Sequence, residues 1–261
     1  MVMNFRELGL SEQTVQAIDE YGITEPTTVQ ADVIPAILAG RDIFTIAPAR
    51  CGKTMSYVLP LLDIINAKKV KNILIITANS QMAVKTSDCL AVFNKYHEIN
   101  GTAIKEGEDM AADEANVIIG APDLLLEVAD GTKVDLSQID ILVVDDINLI
   151  KKNKQLGNLE KVLAMLPANK QNVIYTNRRS KETQDILDKI MQTPAEIKID
   201  KNKEQEAETS KKAAMDKKNK TVFVEKIDNE AVSLAKKLNS FNGKTPKFLL
   251  IKGIIAEGEE K

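Results

Sequence analysis

Tryptophan is missing from this 261-residue chain, histidine occurs once and cysteine twice. Cys51 and Cys89 form no zinc-ligand spacing and no disulfide framework, which excludes metal chemistry built on His and Cys. No apolar run approaches the ~18 residues that a membrane-spanning helix needs, so no membrane association is expected. Met1 to Arg6 lacks the cationic and apolar blocks of a signal peptide, and cytoplasmic residence is the expectation. Clustered positive charge is also scarce. Residues 1–200 carry 21 Lys and Arg against 28 Asp and Glu, whereas residues 201–261 carry 14 against 10. An acidic body, at -7, lacks the electrostatic footprint that binding to a phosphate backbone usually requires.

The chain does hold short, continuously apolar, β-branched runs: DIFTIA at 42–47, NILIIT at 72–77, NVIIG at 116–120, DILVVD at 140–145 and NVIYT at 172–176. Such runs are typical of parallel strands buried on both faces. They alternate with amphipathic stretches at 54–66, 80–95 and 181–191, which predicts an α/β domain with a doubly wound, mostly parallel sheet. A helical prelude over 1–40 precedes the first strand, and Ala195 to Ile199 adds a last one. Residues 201–220 contain almost no large apolar side chain and read as a charged linker. Beyond them a short βαβ-like appendage is expected over 221–253, too small to bury a core by itself. Its basic tail is therefore expected to dock on an acidic surface, more readily within its own chain.

Chemistry concentrates in Ala47-Pro-Ala-Arg-Cys-Gly-Lys-Thr54, which follows a predicted strand and opens a predicted helix. That context is the one a phosphate-binding P-loop requires. The backbone N–H groups of Arg50, Cys51, Gly52, Lys53 and Thr54 would face a β-phosphate, with Lys53 reaching the β- and γ-phosphates and the Thr54 hydroxyl offered to Mg²⁺. Asp145 and Asp146 end the strand ILVV. Asp145 there suits the water shell of that Mg²⁺ and Asp146 a catalytic base, although such pairs also occur as solvated strand ends.

Gly22-Ile-Thr-Glu-Pro-Thr-Thr-Val-Gln30, with Phe5 seventeen residues before Gly22, resembles the adenine-recognising Q motif of DEAD-box RNA helicases. Asp145-Asp-Ile-Asn148 stands where that family has Asp-Glu-Ala-Asp. The resemblance covers residues 1–200 and implies a RecA-like domain that binds ATP or ADP with Mg²⁺. By it Gln30 would hydrogen-bond the adenine edge, Thr27 would join the nucleotide set, and Phe5 would pack on the ring or serve as a core aromatic.

The departures from the family pattern matter equally. Arg50 replaces the mid-loop glycine, Asp146 the catalytic glutamate, Asn148 the last aspartate, and Thr176-Asn177-Arg178 the Ser-Ala-Thr motif. Two RNA-contacting segments read Ala78-Asn-Ser-Gln-Met-Ala83 and Ala121-Pro-Asp-Leu124, without their arginines. RNA contact is accordingly expected to be weak or absent, and Lys85, Arg178 and Arg179 read as a solvated cationic face. The 221–253 unit resembles the opening of the family's second lobe, and the arginine finger of that lobe does not follow it. These readings imply a nucleotide-binding or interaction module with weak or no turnover by itself. An active helicase or ATPase whose second lobe comes from a protein partner, and a structural protein that no longer binds nucleotide, are the alternatives.

Overall fold

A computed structural model of the chain describes residues 4–105, 115–130, 134–191 and 193–199. The linker at 201–220, the βαβ-like unit and its docking lie outside the described residues. The seven strands are β1 (Ile43–Ile46), β2 (Ile73–Ile76), β3 (Gly101–Ala103), β4 (Val117–Gly120), β5 (Ile141–Val144), β6 (Gln171–Thr176) and β7 (Ala195–Lys198). They form one sheet in the order β3-β4-β2-β5-β6-β1-β7, and every pairing is parallel.

Alternate strand residues enter opposite cores. Ile43, Ile73, Ile75, Ile141, Val143, Val173 and Tyr175 pack on one face, and Phe44, Leu74, Ile76, Leu142, Val144 and Ile174 on the other. That period of two is the strand pleat, and burial on both faces explains why the runs read as continuously apolar. The first face is covered by α1 (Glu12–Tyr21), α2 (Thr28–Leu38), α3 (Lys53–Asn66) and α4 (Ser80–Phe93). The second is covered by α5 (Pro122–Asp130), α6 (Ile147–Lys152), α7 (Leu156–Ala164) and α8 (Lys181–Ile190). A doubly wound α/β sandwich is the result, as expected. No helix among the described residues is long and apolar enough to cross a membrane.

Helix starts follow their sequences. Ser11, Thr27, Asn79 and Ser180 each cap a helix by accepting a backbone N–H three residues on, and Thr27 with Gln30 makes a reciprocal capping box. Helix α3 departs from this pattern, because its N-cap is Gly52 and no side chain caps it. In this sheet β1 and β5 lie on either side of β6, so the carboxyl ends of β1 and β5 open onto one crevice where ligands of such folds bind.

Candidate functional site

The loop from Ala47 to Gly52 joins β1 to α3. Gly52 adopts φ +88°, and a Cβ there would lie 2.7 Å from Gln30 Nε2 and 3.0 Å from Thr27 Oγ1. The loop is therefore seated directly on the start of α2. Thr27 Oγ1 donates to the Cys51 carbonyl at 2.9 Å and Gln30 Nε2 to the Gly52 carbonyl at 3.3 Å, while Gln30 Oε1 accepts the Thr27 N–H at 2.9 Å. Thr27 and Gln30, expected as nucleotide residues, thus brace the loop from behind. Cys51 is buried and gives its thiol to the Pro48 carbonyl. Phe5 is 3% exposed in the apolar core.

Arg50 carries φ +65°. For an L-residue the left-handed region costs about 1–2 kcal/mol, the strain expected where arginine replaces glycine. The side chain is exposed, and it makes no hydrogen bond or ion pair among the described residues.

Lys53 opens α3 and reaches the end of β5. Its Nζ lies 3.3 Å from Asp146 Oδ2, in a pair whose side chains are 11% and 9% exposed. Asp146 has φ +66° and also caps α6 by accepting the Leu149 N–H. One strained carboxylate therefore does two jobs, holding the lysine and starting a helix. Beside it Asp145 is 4% exposed and accepts from Tyr57 Oη at 3.2 Å. Burial raises the Asp145 pKa; the Lys53 charge opposes that shift and the Asp146 charge adds to it. Tyr57 was missed by the sequence reading. Its place four residues after Lys53, on the same helix face, was the available signal.

The donor set fits a magnesium nucleotide. An uncapped fourteen-residue helix presents free N–H groups and the positive end of its dipole, with Lys53 beside them, Thr54 half-buried at the second helical position and Asp145 facing from β5.

Asn148 connects the acidic strand end to the end of β6. Its Nδ2 donates to Thr176 Oγ1 at 2.7 Å, Asn177 Oδ1 at 3.1 Å and the Arg178 carbonyl at 2.6 Å, and Thr183 Oγ1 lies 3.4 Å from its Oδ1. Thr176 passes its own hydroxyl proton to the Arg178 carbonyl at 2.8 Å. Where the sequence reads Ala78-Asn-Ser and Ala121-Pro-Asp-Leu124, Asn79 caps α4 and Asp123 lies in the first turn of α5, accepting from Gln155 at 2.6 Å. Arg179 is engaged by Glu196 at 2.7 Å and lies 5.5 Å from the Phe44 ring centroid.

Comparison with known proteins bears on this geometry. The ATP-dependent RNA helicase DHH1 of Meyerozyma guilliermondii is 26% identical over 203 residues, covering 75% of this chain and 37% of that protein. The ATP-dependent RNA helicase DeaD of Buchnera aphidicola is 27% identical over 213 residues, covering 76% and 34%. The chain therefore spans little more than a third of either relative's length. Among solved structures, a DEAD box protein from Methanococcus jannaschii superposes with a TM-score of 0.72 at 24% identity, over 77% of this chain and 57% of that one, a likeness of fold. The sequence model of the DEAD/DEAH box helicases matches residues 27–186, from the Thr27 cap through the loop, the acidic strand end and the Asn148 network to α8. With more than half of its length so matched, this chain belongs to the DEAD/DEAH box helicase family.

Proposed function

We propose that the domain binds an adenine nucleotide with Mg²⁺ at the β1–α3 loop and acts as a nucleotide-dependent binding module with slow turnover. The uncapped start of α3, with Lys53 held in place by Asp146, is the observation that carries this reading. A phosphate would take over Lys53 and the free N–H groups, and Asp145 would order the magnesium's water shell. Gln30 keeps one N–H and one lone pair beyond its present bonds, enough for the paired edge of adenine.

Slow turnover follows from residues inside the matched domain. Asp146 is one methylene shorter than glutamate and caps α6, so it is poorly placed to orient a water even when a phosphate has drawn Lys53 away. RNA contact is reduced because Asn79 and Asp123 stand in segments where the family resemblance has cationic contacts.

Titration with Mg·ATP, Mg·ADP and Mg·GTP, with Lys53→Ala as control, tests the reading. We expect adenine nucleotides to bind more tightly than GTP and Lys53→Ala to weaken all three. Equal affinity for ATP and GTP would remove the adenine assignment. No binding at millimolar concentration would favour a protein that has lost the nucleotide altogether.

A further inference from the structure

Neither backbone preference nor local contacts explain an arginine at position 50. The backbone there is left-handed, where glycine or asparagine would rest more easily. The guanidinium is exposed and has no hydrogen-bond or ion-pair partner among the described residues. Strain of this kind persists only where the surroundings over-determine it and gathers at binding sites, and Arg50 lies in the loop that leads into the uncapped start of α3.

The charge balance of the crevice points the same way. The charged groups at the start of α3 and the end of β5, Lys53, Asp145 and Asp146, sum to -1 with all three ionised, and Lys53 is already paired with Asp146. Such a set repels a polyphosphate, whose own charge exceeds that of a single magnesium ion. Arg50 brings the sum to zero. Its planar fork can grip two phosphate oxygens at once, which an ammonium cannot.

We propose that Arg50 is a phosphate-contacting residue, which makes the site favour nucleoside triphosphate over diphosphate. The proposal rests on the nucleotide reading above and adds to it the origin of its phosphate-chain preference. The added guanidinium meets the extra charge of a γ-phosphate, so its contribution is larger for ATP than for ADP and falls as salt rises.

The test compares Arg50→Gly, Arg50→Asn and Arg50→Lys with the unmodified chain, by calorimetric titration of Mg·ATP and Mg·ADP at low and physiological salt. Glycine and asparagine both suit the left-handed backbone and carry no charge. Each is expected to raise the melting temperature of the nucleotide-free protein while weakening ATP about five- to tenfold and ADP less. Lysine should recover part of the ATP affinity. Stability and affinity moving in opposite directions would separate a phosphate contact from a purely structural role. If Arg50→Gly binds ATP as tightly as the unmodified chain, or loses ATP and ADP equally, the proposal fails while the nucleotide reading survives. If the unmodified chain binds neither nucleotide, both fail.

Discussion

Asn148 donates from one amide nitrogen to three acceptors, two of which, the Asn177 and Arg178 carbonyl oxygens, have no proton to return. A carboxylate there would face two acceptors within hydrogen-bond distance. Asn148→Asp, which recreates the family's acidic residue, is therefore expected to destabilise the domain by about 1–3 kcal/mol. A urea unfolding midpoint at or above that of the unmodified chain would contradict this. Near the far end of α3, His97 is set by similar logic. Thr14 Oγ1 is 2.5 Å from Asp63 Oδ1 and donates there, so at 2.9 Å it can only accept from His97 Nε2. The ring donates from Nε2, and its Nδ1 is buried without a hydrogen-bond partner among the described residues. Burial lowers the His97 pKa from 6.5, and the Asp63 charge opposes that shift only in part. A depressed histidine binds more protons unfolded than folded, so its contribution is constant above pH 6.5 and stability falls as pH drops below it. Unfolding free energies between pH 7.5 and 5 should show this slope, and His97→Gln should flatten it; parallel slopes would rule His97 out as the cause.

The joint between α2 and the β1–α3 loop is an element-scale device. Thr27 caps its own helix and holds the Cys51 carbonyl, so Thr27→Ala should cost about 1 kcal/mol for the cap and also slacken the loop. Gly52→Ala is expected to cost more, because the methyl would sit 2.7 Å from Gln30 Nε2 on a left-handed backbone that alone costs about 1–2 kcal/mol. Thermal melts rank the two, and a Gly52→Ala melt equal to that of the unmodified chain would show that the loop can move off α2. The long elements were legible in the sequence because burial on both faces leaves an unbroken apolar run in each strand and because the helices between them carry an amphipathic pattern. Strand β3, three residues paired on one side, and α6, six residues opening directly at Asp146, are too short to show a period. Helix α5 was read only as a motif that had lost its arginine. The lysine and acidic pair were each visible, but their ion pair, the Tyr57 contact with Asp145 and the Asn148 network join residues distant in sequence, and spacing carries no trace of them.

Across the whole molecule, the groove between the α4 start and α5 has a volume of about 360 Å³ and includes Asn79, Ser80, Asp123, Glu127, Asn153 and Gln155 in its lining. It presents two carboxylates and no lysine or arginine, on a body that is acidic overall. Single-stranded RNA should therefore bind weakly, with little dependence on salt and no stimulation of phosphate release. A plot of log affinity against log salt steeper than about -2 would reveal several phosphate contacts and overturn that expectation. The strand order has a different consequence, for the time at which the protein can fold as it is made. Strand β1, which leads into the Ala47–Gly52 loop, is bordered only by β6 and β7, the last two strands of the described chain. At about 5–20 residues per second, a ribosome that has finished Ile46 needs roughly 8–30 s more to finish β7. Until β6 is made β1 has both edges bare, and one stays bare until β7 follows, so nascent chains halted before residue 171 should be rich in chaperone-bound or aggregated species, whereas chains released after residue 199 should not.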